Sequence, residues 1–132
     1  MKNRFKNWKP PVIKHGKPTK WNWIVLHPEN LVIKKRVDIG TFTFIQAQEG
    51  VVLESDVELG PFVYICSAST IDGKKGKVIL KAGAKIGAHS SIMPGVTIGK
   101  NSIIGAHSFV NRDIPDNVVA FGVPAKVVRP IK

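Results

Sequence analysis

An aliphatic residue returns every six positions from Leu80 to Val110 without a slip, at Leu80, Ile86, Ile92, Ile98, Ile104 and Val110. Glycine follows it at Gly87, Gly99 and Gly105. A small or β-branched residue stands four places after it, at Ala84, Ser90, Val96, Ser102 and Ser108. A fixed short period marks a solenoid, whose repeats pack only on their neighbours. A hexad is too short for a helix and suits one short strand and a turn. Three hexads then close a triangular coil of about 18 residues, and coils stack at about 4.8 Å.

The expected fold is all-β: a left-handed parallel β-helix of roughly four coils, aliphatics inward and small residues at the corners. That hand departs from the usual right-handed crossover, and the hexad pattern forces it. The register runs backwards with interruptions. Ile33, Ile39 and Ile45 keep the period, and two extra residues around Glu49-Gly50 precede Leu53. Leu53, Leu59, Ile65 and Ile71 resume it, and three extra residues then separate Ile71 from Leu80. The segment Asp72-Gly-Lys-Lys-Gly-Lys77 is a turn cluster and reads as an exposed loop. The chain is therefore expected to be one domain, with a basic N-terminal arm and cap (1–22), coils (23–112) with a loop at 72–79, and a closing segment (113–132). Trp21 and Trp23 are expected to cover the open end of the core or a neighbouring subunit.

The formal charge is +11, and seven Lys or Arg lie in the first 20 residues with no acid among them. No nucleic-acid module accompanies that charge, so nucleic acid is not the expected partner. A phosphorylated small molecule needs only local positive charge. The single cysteine, Cys66, excludes an internal disulfide framework and fits a reducing, cytoplasmic location. No apolar run is long enough for a helix across a membrane, and no signal peptide is evident.

The run from Ile86-Gly-Ala-His through Asn-Val-Val-Ala-Phe-Gly-Val-Pro-Ala-Lys-Val-Val-Arg129 resembles the hexapeptide-repeat acyltransferases. The resemblance covers about residues 31–131. The closing Gly122-Val-Pro-Ala-Lys126 with Arg129 is its more specific part and points to the sugar and nucleotide-sugar acetyltransferase branch. The resemblance implies a homotrimer with active sites between subunits, acetyl-CoA as donor and a sugar or nucleotide sugar as acceptor. It implies pantetheine contacts at Gly87, Gly105 and Ala106, and His107 is a candidate acetyl-CoA or interface contact. Lys126 and Arg129 match the segment that meets the nucleotide end of coenzyme A.

His89 and His107 stand three after Ile86 and Ile104, at one corner of successive coils. Counting hexads back through both interruptions adds Ala68 and Gln48 to that column. Acetyl transfer needs the acceptor's proton removed, and a neutral imidazole suits that role near pH 7. His89 is the candidate base, with His107 and Asp72 as alternatives; Gln48, Thr70 and Lys74 are candidate substrate contacts. In the galactoside-acetylating branch the base ends the strand before the long loop, where this chain has approximately Thr70. A free amine needs a protein base less than a hydroxyl does. The expected reaction is thus N-acetylation of a nucleotide-linked amino sugar, with sugar O-acetylation as the alternative and a non-catalytic assembly solenoid as the alternative of another class. No metal is expected: the second, closely spaced His of a zinc site on this scaffold is missing.

Overall fold

The computed structural model describes residues 5–132. Lys2 and Arg4 of the basic arm lie outside the described residues. The chain forms a parallel β-solenoid with three faces. The first face carries β1 (Ile24–Leu26), β4 (Phe44–Gln46), β7 (Tyr64–Cys66), β10 (Ser91–Ile92) and β13 (Phe109–Val110). The second carries β2 (Leu31–Ile33), β5 (Val51–Leu53), β8 (Val78–Leu80) and β11 (Thr97–Ile98). The third carries β3 (Asp38–Ile39), β6 (Glu58–Leu59), β9 (Lys85–Ile86), β12 (Ile103–Ile104) and β14 (Val118–Gly122), with β15 (Ala125–Pro130) added antiparallel at its edge.

The first face has five rungs, so the solenoid has about five turns rather than four. The extra turn comes from both ends. The segment after Trp23 supplies a full rung that pairs with β4, and Ile114 and β14 complete the last turn on the other two faces.

Aliphatic side chains stack in columns because successive rungs pair residue on residue. Val25, Ile45, Ile65, Ile92 and Val110 form one fully buried column, and Leu53, Leu80 and Ile98 another. Trp23 is buried and closes the first turn, but Trp21 is 54% exposed, so only one of the two tryptophans covers the core.

The small residues at the corners do more than save space. Buried Ser90 donates to the Gly105 carbonyl (3.1 Å) and accepts from the Ser108 amide (3.2 Å), tying one turn to the next. Thr43 bonds the Gly60 carbonyl and the Val63 amide in the same way. A buried hydroxyl is tolerated only with such partners. The glycines after the third-face aliphatics have a different cause. A Cβ on Gly87 would lie 2.5 Å from the Ala106 nitrogen, and one on Gly40 would lie 2.4 Å from the Gly60 carbonyl carbon. Backbone rides on backbone at this edge, which leaves no room for a side chain.

The register differs from the hexad count at one place. Leu53 pairs with Leu80 and Ile65 with Ile92, each 27 residues on, so the interruption is nine residues long rather than three. Ile71 holds no core position; it is 95% exposed. Residues 67–77 form a small hairpin, in which Ser69 N donates to Lys74 O (2.8 Å) and Gly76 N to Ser67 O (2.9 Å). The loop thus begins earlier than 72 and ends where β8 starts at Val78.

Candidate active site

The corrected register changes the membership of the histidine column. The residues below His89 and His107 are Phe62 and Phe42, not Ala68 and Gln48. Each stands three after a third-face aliphatic: Ile39, Leu59, Ile86 and Ile104. The four side chains form a ladder of rings. Phe42 and Phe62 lie 5.3 Å apart, Phe62 and His89 4.7 Å, and His89 and His107 4.9 Å. The planes of the last two pairs differ by 5° and 1°. These separations match the spacing of neighbouring strands, so the rise of the solenoid sets the stack.

All four residues have φ near +60°, as does Asn22 at the start of the column. The left-handed region is costly for bulky residues. The corner itself imposes it, because the opposite column of Arg36, Asp56, Gly83, Asn101 and Asn117 shares it. There, Arg36 grips Asp56 through two bonds (2.7 and 3.1 Å), and that bond, the Coulomb attraction adding to it, holds the Asp56 carboxyl below its usual range. Gly83 leaves room there for the Asn101 side chain, whose Oδ1 a Cβ would meet. What distinguishes the first corner is its occupants: exposed rings, two of them imidazoles.

The C-terminal end of the ladder gathers several of the residues expected to contact coenzyme A. Gly105 and Ala106 directly precede His107, and a Cβ on Gly105 would meet Phe121. Phe121 pairs with Lys126 across β14 and β15, which brings Lys126 to the same edge. Arg129 pairs with Val119 farther along the strand, its guanidinium 3.2 Å from the Pro130 carbonyl.

Gln48, Thr70, Asp72 and Lys74 stand elsewhere. They follow first-face strands, whereas His89 and His107 precede them, so the first face separates the two groups within one chain. Gln48 N donates to Gln46 Oε1 (2.9 Å), and its carbonyl accepts from Asn30 (3.0 Å). Asp72 Oδ1 accepts from the Lys74 amide (3.1 Å), with Lys74 Nζ 3.8 Å from the carboxylate. That backbone bond, which outweighs desolvation, lowers the Asp72 carboxyl from its usual range. Such a carboxylate closes a turn and is a weak base. Between the groups, the outer surface of the first face shows Phe44 and Tyr64, with ring centroids 6.0 Å apart, and then Phe109 on the last rung. Partial burial, with the neighbouring Cys66 side chain adding to it, pushes the Tyr64 phenol up to about 12.

Sequence reasoning missed Phe42 and Phe62. A signal was present, since Ile39-Gly40, Leu59-Gly60, Ile86-Gly87 and Ile104-Gly105 share one dipeptide pattern with a ring two residues on.

The family described as bacterial transferase hexapeptide (six repeats) matches residues 77–112. A galactoside O-acetyltransferase of Lactococcus lactis subsp. lactis (strain IL1403) is 39% identical over 112 residues, covering 74% of this chain and 54% of the relative. A galactoside acetyltransferase solved in complex with coenzyme A superposes with a TM-score of 0.77 at 32% identity, over 83% of this chain and 60% of that one. A maltose O-acetyltransferase from Clostridium difficile 630 gives 0.79 at 28% identity, over 84% of this chain and 64% of that one. With its three-faced hexad core, the chain belongs to the hexapeptide-repeat acyltransferase family. It spans between about half and two thirds of the length of these relatives.

Proposed function

We propose that the chain transfers acetyl from acetyl-CoA to a sugar hydroxyl. The observation that carries this reading is the exposed His89–His107 stack, beside the Gly105-Ala106 edge that Lys126 joins. Two of the named relatives are O-acetyltransferases, which favours a hydroxyl over the amino group of a nucleotide-linked sugar. In this reading, His89 takes the hydroxyl proton as the oxygen attacks the thioester carbonyl. The tetrahedral oxyanion collapses, the C–S bond breaks, and the leaving thiolate takes the proton back from the imidazolium. Amides along the corner suit the oxyanion. The pantetheine lies along Gly87, Gly105 and Ala106, and Lys126 and Arg129 meet the phosphates.

The acceptor is held between copies of the chain. The hairpin residues Thr70 and Lys74, with Gln48, are split from His89 by the first face, and only a second copy brings such groups to one site. The Phe44, Tyr64 and Phe109 strip suits the packing of a homotrimer.

A thiol-release assay with acetyl-CoA tests the proposal against galactosides, maltose and nucleotide-linked amino sugars. Turnover of a hydroxyl acceptor is expected. Release only with the amino sugars would restore N-acetylation. No release on any acceptor, with no acetyl-CoA binding by calorimetry, would remove the enzyme reading.

A further inference from the structure

From residue 5 onward, the N-terminal arm is laid against the first turn rather than hanging free. Gly16 N donates to Val25 O (2.8 Å), Thr19 N to Trp23 O (2.9 Å), and the Trp8 indole to Val37 O (2.9 Å). Between the arm and the solenoid runs an open groove of about 580 Å³. Trp8, Pro10, Val12 and Trp21 line it, with Lys9 and Lys20 at the same walls. Asp38 is the one acid in that lining. Val12 is 83% exposed and Trp21 54%, and Lys20 Nζ sits 4.9 Å over the Trp21 ring. Lys6, Lys14 and Lys17 are also exposed, and the first acid in the sequence is Glu29.

We infer that this end of the solenoid docks on an anionic lipid bilayer. Two features favour a bilayer over a nucleic acid. The apolar stretch Pro10-Pro11-Val12, its Pro10 and Val12 exposed, is flanked by Lys9 and Lys14, and an aliphatic stretch between lysines can enter the acyl boundary while the ammonium groups remain among the headgroups. Trp21, half exposed and beside a lysine, has the amphipathic ring that settles at the interface. Charge complementarity supplies the rest, since each lysine near an anionic surface strengthens binding about fivefold. Docking here is independent of the acetyl-transfer reading: the surface lies at the N-terminal end, whereas Lys126 and His107 lie at the other.

The test is co-sedimentation of the full chain with large vesicles of phosphatidylcholine alone and of a 7:3 mixture with phosphatidylglycerol, at low and high salt. Partitioning onto the anionic vesicles is expected to exceed that onto neutral ones by about tenfold or more, and to fall steeply as salt screens the lysines. Val12→Asp is expected to lower partitioning several-fold, with the thermal midpoint unchanged because the side chain is exposed. Lys9→Glu with Lys20→Glu is expected to lower it further. Equal or absent binding to the two vesicle types would overturn the inference, as would a Val12→Asp variant that binds like the parent. Tighter binding to a single-stranded oligonucleotide than to the anionic vesicles would replace the bilayer with a nucleic acid.

Discussion

The ring of Phe62 lies 4.7 Å from that of His89 and within 5° of parallel with it. One face of the imidazole is therefore covered by a phenyl ring, and the other by His107. Only the ring edge, where both nitrogens lie, is open to an acceptor. In the reaction proposed above, Phe62 is a positioning residue whose ring sets the plane in which His89 presents its nitrogen. Phe62→Leu is expected to lower kcat about two- to tenfold, the scale of one aromatic stack. The KM for acetyl-CoA should stay near the parent value, and Phe62→Tyr should restore kcat. An equal rise in KM with kcat unchanged would assign Phe62 to substrate binding instead.

Ser90 joins the turn that carries His89 to the turn that carries His107. Ser90→Ala removes the donor to Gly105 O and the acceptor for Ser108 N. The expected loss is about 1–3 kcal/mol, because the buried Ser108 amide loses its acceptor, while Gly105 O keeps the bond donated by the Ser108 hydroxyl (2.6 Å). Ser91→Ala, one residue on and half-buried at the start of β10, should stay within about 0.5 kcal/mol. Urea titrations of both variants check this; equal midpoints would contradict it.

The corrected register makes an opposite pair of expectations. Ile65 is fully buried and Ile71 is 95% exposed, although both fit the six-residue count. Ile65→Ala should cost about 2–5 kcal/mol as a core truncation. Ile71→Ser should leave the thermal midpoint within a degree or two. A large loss at Ile71 would return it to the core.

The single tyrosine titrates as a reporter of the first face. Its phenol ionises at about 12 in the fold, against about 10 for a free phenol. A raised folded value favours the protonated form. Its stabilisation is therefore complete below pH 10 and is lost as pH rises from 10 towards 12. Absorbance of the phenolate against pH should show little ionisation at pH 10.5 in the folded chain and about three quarters in urea. Coincident curves would mean that Tyr64 is not shielded.

Much of the fold was legible because the hexad is a physical unit: one aliphatic per strand, one small residue per corner. From Leu80 onward the count and the pairing agree residue by residue. It failed at Ile71, an aliphatic that happens to fall six after Ile65 but sits at the tip of a hairpin. A period counts positions and does not register whether the chain has left the sheet. That single slip moved Gln48 into the histidine column and hid Phe42 and Phe62. The fifth turn was hidden for a related reason, since its end rungs, Ile24–Leu26 and Val118–Gly122, lie outside the regular repeats. His89 and His107 were legible as a pair because no insertion lies between them.

The role of His89 is decided most directly by kcat for acetyl transfer to a galactoside, compared between the parent and His89→Asn across pH 5.5–8.5. Asn keeps a planar polar side chain and tolerates the left-handed corner, so the solenoid should remain intact. A loss of about 10²–10⁴-fold in kcat is expected. An unchanged kcat over that range would contradict His89 as the base.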